Sequence, residues 1–225
     1  EVPNAIMDHL TRDLYEAKLV YYSDTYENKV RTFCMNPGGE VSQEYYEGGI
    51  AVVNGHSYED PTKRTGNTNF AMLVSTQFTE PFNQPIEYGR YIAQLGNMLT
   101  GGPIMVQRLG DLLKGRRTDV KRLAKSTTIP TLSTAVPGDL SFVLPARHLT
   151  SIVEALKAFD HLAPGLYSQN TLLYGVEVKF YSSKVTVDEK FETKVRNFFA
   201  IGDGAGITRG LMQASATGIA VAQDI

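Results

Sequence analysis

Cysteine is nearly missing: Cys34 is the single one in 225 residues. That excludes an internal disulfide framework and any zinc or iron–sulfur site built on several thiolates, and makes a reducing, cytoplasmic setting the expectation. The histidines, His9, His56, His148 and His161, are scattered, with no pattern such as His-Glu-x-x-His, so no metal site is expected. A basic excess is also lacking. The net charge of -2 and pI near 6.1 argue against a general nucleic-acid binder. No apolar run is long enough to span a bilayer; even the uncharged stretch between Arg209 and Asp224 is short and interrupted by Gly, Ser, Thr and Gln. The chain opens on Glu1-Val2-Pro3 without a basic-then-apolar leader, which gives the expectation of a piece of a longer protein with no signal peptide. Neither an internal repeat nor a low-complexity segment is visible.

What is present is ordinary for a soluble globular chain: 42% hydrophobic and 20% charged residues. The spacing of Ile6, Leu10 and Leu14 predicts a helix over Pro3 to Glu16, followed by strand-like residues from Ala17 to Ser23. From Lys29 to Met35, Val30, Thr32 and Cys34 alternate against Arg31, Phe33 and Met35. This is strand periodicity, ended by Asn36-Pro37-Gly38-Gly39, and it predicts a hairpin continuing into Glu40 to Tyr46. Ile50 to Val53 reads as the next strand, with Asn54-Gly55 as a tight-turn pair. Phe70 to Phe78 reads as another.

After Pro85 the period changes. Tyr88, Tyr91, Ile92, Leu95 and Leu99 predict a helix broken by Gly101-Gly102-Pro103. Val106, Leu109, Leu112 and Leu113 suggest a second, short helix. Leu149, Ile152, Val153, Leu156, Phe159 and Leu162 predict an amphipathic helix, and Leu172 to Val187 alternates as one or two strands through Tyr174, Val176, Val178, Phe180 and Val185. The fold class expected is mixed α+β with a β-rich unit first.

Near the end, Phe198 to Ile201 reads as a strand covered on both faces, then a glycine-rich turn, then a buried helix from Ile207 to Val221. Gly210, Ala214, Gly218 and Ala222 recur four apart as a small-residue stripe that lets another backbone come close. The turn holds Asp203 among Gly202, Gly204 and Gly206. Uncovered amides and the helix dipole would suit an anion or a polar cofactor edge there; equally, Asp203 suits an ordinary N-cap. Arg209, in the first turn of that helix, opposes the dipole and wants an anion nearby.

Other candidates carry alternatives too. Cys34 could serve as a redox or proton-donating thiol, or be a small packing residue. His56, beside Ser57 and Tyr58, could line a substrate pocket or be a surface histidine. Lys114, Arg116, Arg117, Lys121, Arg122 and Lys125 could clamp a phosphorylated or carboxylated ligand, or form a solvated face.

Several segments together resemble a family of uncharacterised FAD-dependent dehydrogenases, NAD(P)/FAD-dependent oxidoreductases distantly related to glutathione-reductase-like and geranylgeranyl-reductase-like flavoproteins. They are Val30 to Gly39, Asn54 to Tyr58, Gln107 to Asp111, Pro137 to Ser141, Tyr174 to Glu177 and Ala200 to Gly210. The resemblance implies FAD as cofactor, NAD(P)H as a candidate electron donor, and a small-molecule substrate. It also implies cofactor contacts at Gly202, Asp203, Gly204, Ala205, Gly206, Thr208 and Arg209, with the Asp203 carboxylate on a ribityl hydroxyl.

The family's Gly-x-Gly-x-x-Gly turn after a first strand is not in these residues, so the phosphate-cradling half of the nucleotide fold is expected elsewhere in a longer protein. The resulting expectation is an inserted substrate-side domain over 1–190 and the C-terminal strand and helix of the FAD domain over 191–225. Function would be hydride transfer between flavin and an organic substrate or NAD(P)H, with Cys34 and His56 as catalytic candidates. The other reading is a non-catalytic module that docks an anionic partner through its basic segment.

Overall fold

The computed structural model describes residues 1–14, 17–178 and 184–224, and the chain separates into two units, Glu1–Val178 and Lys179–Ile225. It is a mixed α+β fold.

The first unit begins with β1 (Val2–Pro3) and α1 (Asn4–Thr11), followed by β2 (Val20–Tyr22), β3 (Lys29–Pro37), β4 (Glu40–Tyr46), β5 (Ile50–His56) and β6 (Asn67–Val74). Then come α2 (Pro85–Thr100), β7 (Met105–Arg108), the single-turn helices α3 (Leu109–Leu112) and α4 (Val120–Leu123), β8 (Val136–Pro137), α5 (Ala146–Phe159) and β9 (Leu172–Gly175). The strands form a four-stranded sheet in the order β1-β6-β3-β2, the hairpin β4-β5, and a three-stranded sheet β8-β7-β9.

β3 shows how the pattern becomes structure. Strict alternation would place Val30, Thr32 and Cys34 on one face. The ladder to β6 instead shifts register between Phe33 and Asn36, so that Cys34 and Met35 stand opposite Phe70 alone. This is a β-bulge, and it exchanges the faces beyond it. Val30, Thr32 and Met35 are buried, while Cys34 is displaced with φ +46°. Few residues other than glycine take that left-handed conformation.

The hairpin β4-β5 pairs in full from Glu40↔His56 to Tyr46↔Ile50. It is closed by the three-residue loop Glu47-Gly48-Gly49, whose glycines take φ +81° and +73°, positive angles that glycine adopts without steric cost. Contrary to the sequence expectation, Asn54-Gly55 makes no turn; it continues β5, and β3 pairs with β2 and β6 rather than with β4. The glycine is needed for a different reason: a Cβ at Gly55 would lie 2.0 Å from Asn69 Oδ1 and 2.6 Å from Asn36 Nδ2.

α2 enters through Pro85 and stops at Gly101, whose φ of +74° ends the helix as expected of a glycine C-cap. The Asn97 side chain acts as an extra strand edge, accepting from the Ala51 amide at 2.8 Å and donating to the Ala51 carbonyl at 2.9 Å. α5 lays Ala155, Leu156 and Phe159 into a core shared with α1 and the four-stranded sheet. Ile50, Val52, Met105, Leu140 and Val176 make a second core cluster, and Val41, Ala51, Val53 and Ile104 a third. Where a second short helix was expected, β7 takes Met105–Arg108 and only a single helical turn follows. Its flanking partners, far away in sequence, override the local spacing.

Asp111 ties this region together. Its side chain is 1% exposed and accepts from Arg116 Nε at 2.9 Å and from the Thr118 hydroxyl at 2.9 Å, with Arg108 at 3.8 Å and Arg122 at 3.9 Å. Nearby, Gln107 donates to the Arg116 carbonyl at 3.0 Å and accepts from the Leu140 amide at 2.8 Å. The segments Gln107 to Asp111 and Pro137 to Ser141, which carry part of the family resemblance, thus converge on one structural lock.

The second unit is described by itself. Phe198 to Ile201 does not form the expected strand: Phe199 makes an isolated bridge to Glu192, and Phe198 is 61% exposed. A strand of the parallel type takes its hydrogen bonds from neighbouring strands, and the described residues of this unit supply none beyond that bridge. Turns occupy the glycine-rich segment, and the helix, α6 (Leu211–Asp224), starts later than the expected Ile207. It buries Thr217 and Val221 but leaves Leu211, Met212 and Ile219 exposed, so it is not a buried helix here. The small-residue stripe is used within the unit: a Cβ at Gly202 would sit 3.5 Å from the Ala214 Cβ, and one at Gly218 would sit 3.7 Å from Ile201 Cδ1. Of the strands expected over Leu172 to Val187, β9 forms, while Phe180 lies outside the described residues.

Replacing Asp111 with Ala leaves the buried Thr118 hydroxyl and the partly solvated Arg116 guanidinium facing no carboxylate. The expected loss is about 3 kcal/mol, the low end for breaking a buried pair because Arg116 is partly solvated. Urea unfolding measures it, and a loss below about 1 kcal/mol would show that the network is not a lock.

Candidate functional site

Two places collect the candidate residues. The first is the turn before α6. The Thr208 hydroxyl donates to Asp203 Oδ1 at 2.6 Å, and the Gly210 amide donates to both carboxylate oxygens at 3.1 and 3.2 Å. Within the same loop the Gly206 amide donates to the Asp203 carbonyl at 3.0 Å, and the Ile207 amide to the Gly202 carbonyl at 3.2 Å. Gly202 and Gly206 take φ +72° and +71°, which closes the loop. Asp203 is exposed, and its carboxyl is held below the usual carboxylate range, first by the Thr208 hydroxyl, then by the Gly210 amide, with the Arg209 charge adding to both. The Arg209 guanidinium donates to the Thr208 carbonyl at 2.6 Å. Asp203 therefore caps its own loop, and it does so as an ionised, solvent-facing carboxylate.

The second place lies inside the first unit, where the three core clusters meet without merging. A cavity of about 150 Å³ is lined by the bulge residue Cys34, by Asn69 and Ala71 of β6, by Asn54 and Gly55 of β5, and by apolar side chains of α5 and β9. Small or polar residues stand at the junction where larger apolar ones would close it.

One wall is set by an amide pair. Asn36 Nδ2 donates to the Cys34 carbonyl at 2.8 Å and to Asn69 Oδ1 at 3.0 Å. The carbonyl can only accept, so the Asn36 atom facing it is nitrogen; the Asn69 atom facing that nitrogen must then be oxygen. The Asn69 amide nitrogen is left buried with no hydrogen-bond partner. On another wall the Tyr174 hydroxyl donates to the Glu1 carboxylate, which also accepts from Asn67 at 3.0 Å and the Thr131 hydroxyl at 2.5 Å. Burial pushes the Tyr174 phenol far up, and the Glu1 charge and hydrogen bond add to it, so the phenol stays a neutral donor.

Of the sequence candidates, Cys34 lines the cavity and His56 does not. His56 sits exposed at the end of β5, with Nε2 3.9 Å from Glu44 Oε1. In the basic segment, Arg116 and Arg122 turn onto Asp111, and Arg122 also pairs with Asp119 at 3.1 Å. Among the described residues no cluster of three or more His, Cys, Asp or Glu could hold a metal ion, and no helix is long and apolar enough to cross a membrane. Sequence reading missed Asn36, Asn69 and Tyr174. Asparagine is poorly suited to strand interiors, and that mismatch was the available signal.

The architecture and its residues correspond to a flavoprotein C-terminal domain. The chain belongs to the family described as FAD-dependent protein, C-terminal domain-like, which it matches over residues 7–180. The match includes Cys34, His56 and the cavity walls on β3, β5, β6, α5 and β9. A protein of Clostridium beijerinckii with the printed name "Uncharacterized protein" is 29% identical over 219 residues, covering 92% of this chain and 40% of that protein. The chain thus spans less than half the length of this relative.

Two outcomes follow. Because the Asp203 carboxyl sits below its ordinary value, the stability it lends the loop is fully present above the ordinary carboxylate range and disappears as pH falls through the lowered value. Protection of the Gly210 amide from hydrogen exchange should follow that course; protection already lost near the ordinary carboxylate value would contradict it. At the bulge, Cys34→Val should lower stability by about 1–2 kcal/mol relative to Cys34→Asn, because a β-branched residue tolerates φ +46° poorly. Equal denaturation midpoints would rule the strained backbone out.

Proposed function

We propose that the chain is the C-terminal portion of an FAD-dependent oxidoreductase, in which hydride passes between flavin and an organic substrate or NAD(P)H. The observation that carries this reading is the family match over residues 7–180. It is supported by the length of the relative, of which this chain covers 40%; the remainder has room for a nucleotide-binding half with the Gly-x-Gly-x-x-Gly turn. The exposed Phe198, Ile201, Leu211, Met212 and Ile219 are what the edge of an interrupted FAD domain would present, since apolar surface of this kind is normally covered.

The turn before α6 fits a flavin's sugar-alcohol chain. A carboxylate offers about four acceptor positions, so a hydroxyl can join the donors Asp203 already has. A Cβ at Gly204 would meet nothing within 4 Å, which leaves the backbone open to close approach. In this reading Asp203 accepts from the cofactor, Gly202, Gly204, Ala205 and Gly206 let it approach, and Thr208 and Arg209 hold the carboxylate in place. Bound FAD supplies the hydride chemistry. The chain's own residues position and shield: Cys34 borders the cavity, and His56 follows Asn54 and Gly55 out of it toward solvent. No observation favours a module docking an anionic partner.

In the complete protein, Asp203→Ala should reduce retained flavin at least severalfold while Asp111 and the cavity remain unaffected. This chain alone should form no stoichiometric complex with FAD by titration calorimetry. Undiminished flavin in the variant, or a tight complex with the isolated chain, would overturn the assignment of Asp203 or the division of the cofactor site.

A further inference from the structure

We propose that the cavity of the first unit is a binding site for a small neutral carbonyl compound, about the size of one six-membered ring, whose oxygen accepts from the Asn69 amide. The site stands on the first unit's own geometry and does not depend on a flavin being present.

Size comes first. A cavity of about 150 Å³ is comparable with engineered voids that hold one benzene ring. Most of its wall is apolar, from Ala71, Ile152, Leu156 and Val176 among others, so the body of the ligand is hydrocarbon.

Polarity comes second. Asn69 is 4% exposed, lines the cavity, and carries an amide nitrogen with no partner. Its oxygen is engaged by Asn36, so the orientation is fixed and the group on offer is a donor. A buried donor left unmade costs more than a formed hydrogen bond returns, which is why an acceptor belongs against it. Gly55 keeps this arrangement possible, because any side chain there would collide with Asn69 and Asn36.

Charge comes third. No lysine, arginine or histidine lines the cavity, whereas the two carboxylates Glu1 and Glu177 do. The Glu1 carboxylate is already saturated by Asn67, Thr131 and Tyr174. A carboxylate or phosphate ligand would find no counter-charge and two existing carboxylates, and a cation has no lone pair to accept from the Asn69 amide; a neutral acceptor meets both conditions.

Cys34, the single cysteine of these 225 residues, lines the same cavity and gives a readout when its own peptide is followed. The experiment uses the complete protein, with and without added FAD, and follows by mass spectrometry of the Cys34 peptide the rate at which Cys34 reacts with methyl methanethiosulfonate. The probes are cyclohexanone, toluene and cyclohexanecarboxylate. Cyclohexanone should protect Cys34 saturably, toluene more weakly, and the carboxylate not at all. Asn69→Leu should weaken cyclohexanone by about five- to tenfold, the factor for one neutral hydrogen bond, and leave toluene unchanged. Ala71→Leu, which fills the space without touching the amide pair, should abolish protection by both. Circular dichroism checks that each variant is folded. Absence of protection by cyclohexanone, protection by the carboxylate, full protection in folded Ala71→Leu, or an unchanged ketone affinity in Asn69→Leu each overturns the proposal. If Asn69→Leu does not fold, Ala71→Leu and the probe series still decide it. Flavin content enters none of these outcomes, so their failure is distinguishable from failure of the FAD reading.

Discussion

The first unit depends on a single side-chain amide. Asn36 Nδ2 bridges the Cys34 carbonyl and the Asn69 oxygen, and so joins the bulged part of β3 to its neighbour β6 where their ladder skips a residue. A bulge costs ladder hydrogen bonds; here the bridge replaces some of them with a side-chain group. Three consequences run from it. Met35 turns into the core, Cys34 is pushed toward the cavity, and the Asn69 amide is fixed with its nitrogen unpartnered. The third strand in the arrangement, β5, can pass only because residue 55 is glycine.

That constraint also explains which parts of the fold were legible in the sequence. Periodicity with its punctuation identified α2 and α5, since Pro85 and Gly101 bound one helix and a regular apolar stripe marks the other. The strands Glu40 to Tyr46 and Ile50 to Val53 were legible, but their pairing as a hairpin was not, since the turn expected after Asn36 claimed β4 for β3. Failures cluster where a distant partner decides the local conformation. Asn54-Gly55 has the composition of a turn, yet its glycine serves an approach by Asn69 from another strand. Met105–Arg108 has helical spacing, yet it is held as the centre of a three-stranded sheet by Val136–Pro137 and Leu172–Gly175. At Cys34 the alternation held until one inserted residue changed its phase, and no local propensity announces a bulge that a side-chain amide two residues on stabilises.

The candidate sites were legible to different degrees for the same reason. Asp203 stood out because a lone carboxylate among glycines is a local signal, and the structure shows it bonded to its own turn through Thr208 and Gly210. The basic segment was visible as a run of charge, but its inward use depends on Asp111, whose burial only the fold determines. Cys34 could be named from sequence, whereas the cavity could not, because its walls come from β3, β5, β6, α5 and β9. Membership in the FAD-dependent C-terminal family rests on residues 7–180, the part of the chain that holds the cavity.

Whether this chain works as part of a flavoprotein oxidoreductase is tested most directly by the absorption spectrum of the purified complete protein under anaerobic titration with NADH and NADPH. The account predicts a flavin band that bleaches with one of the two nucleotides; a correctly folded but colourless protein, to which added FAD does not bind, would contradict it.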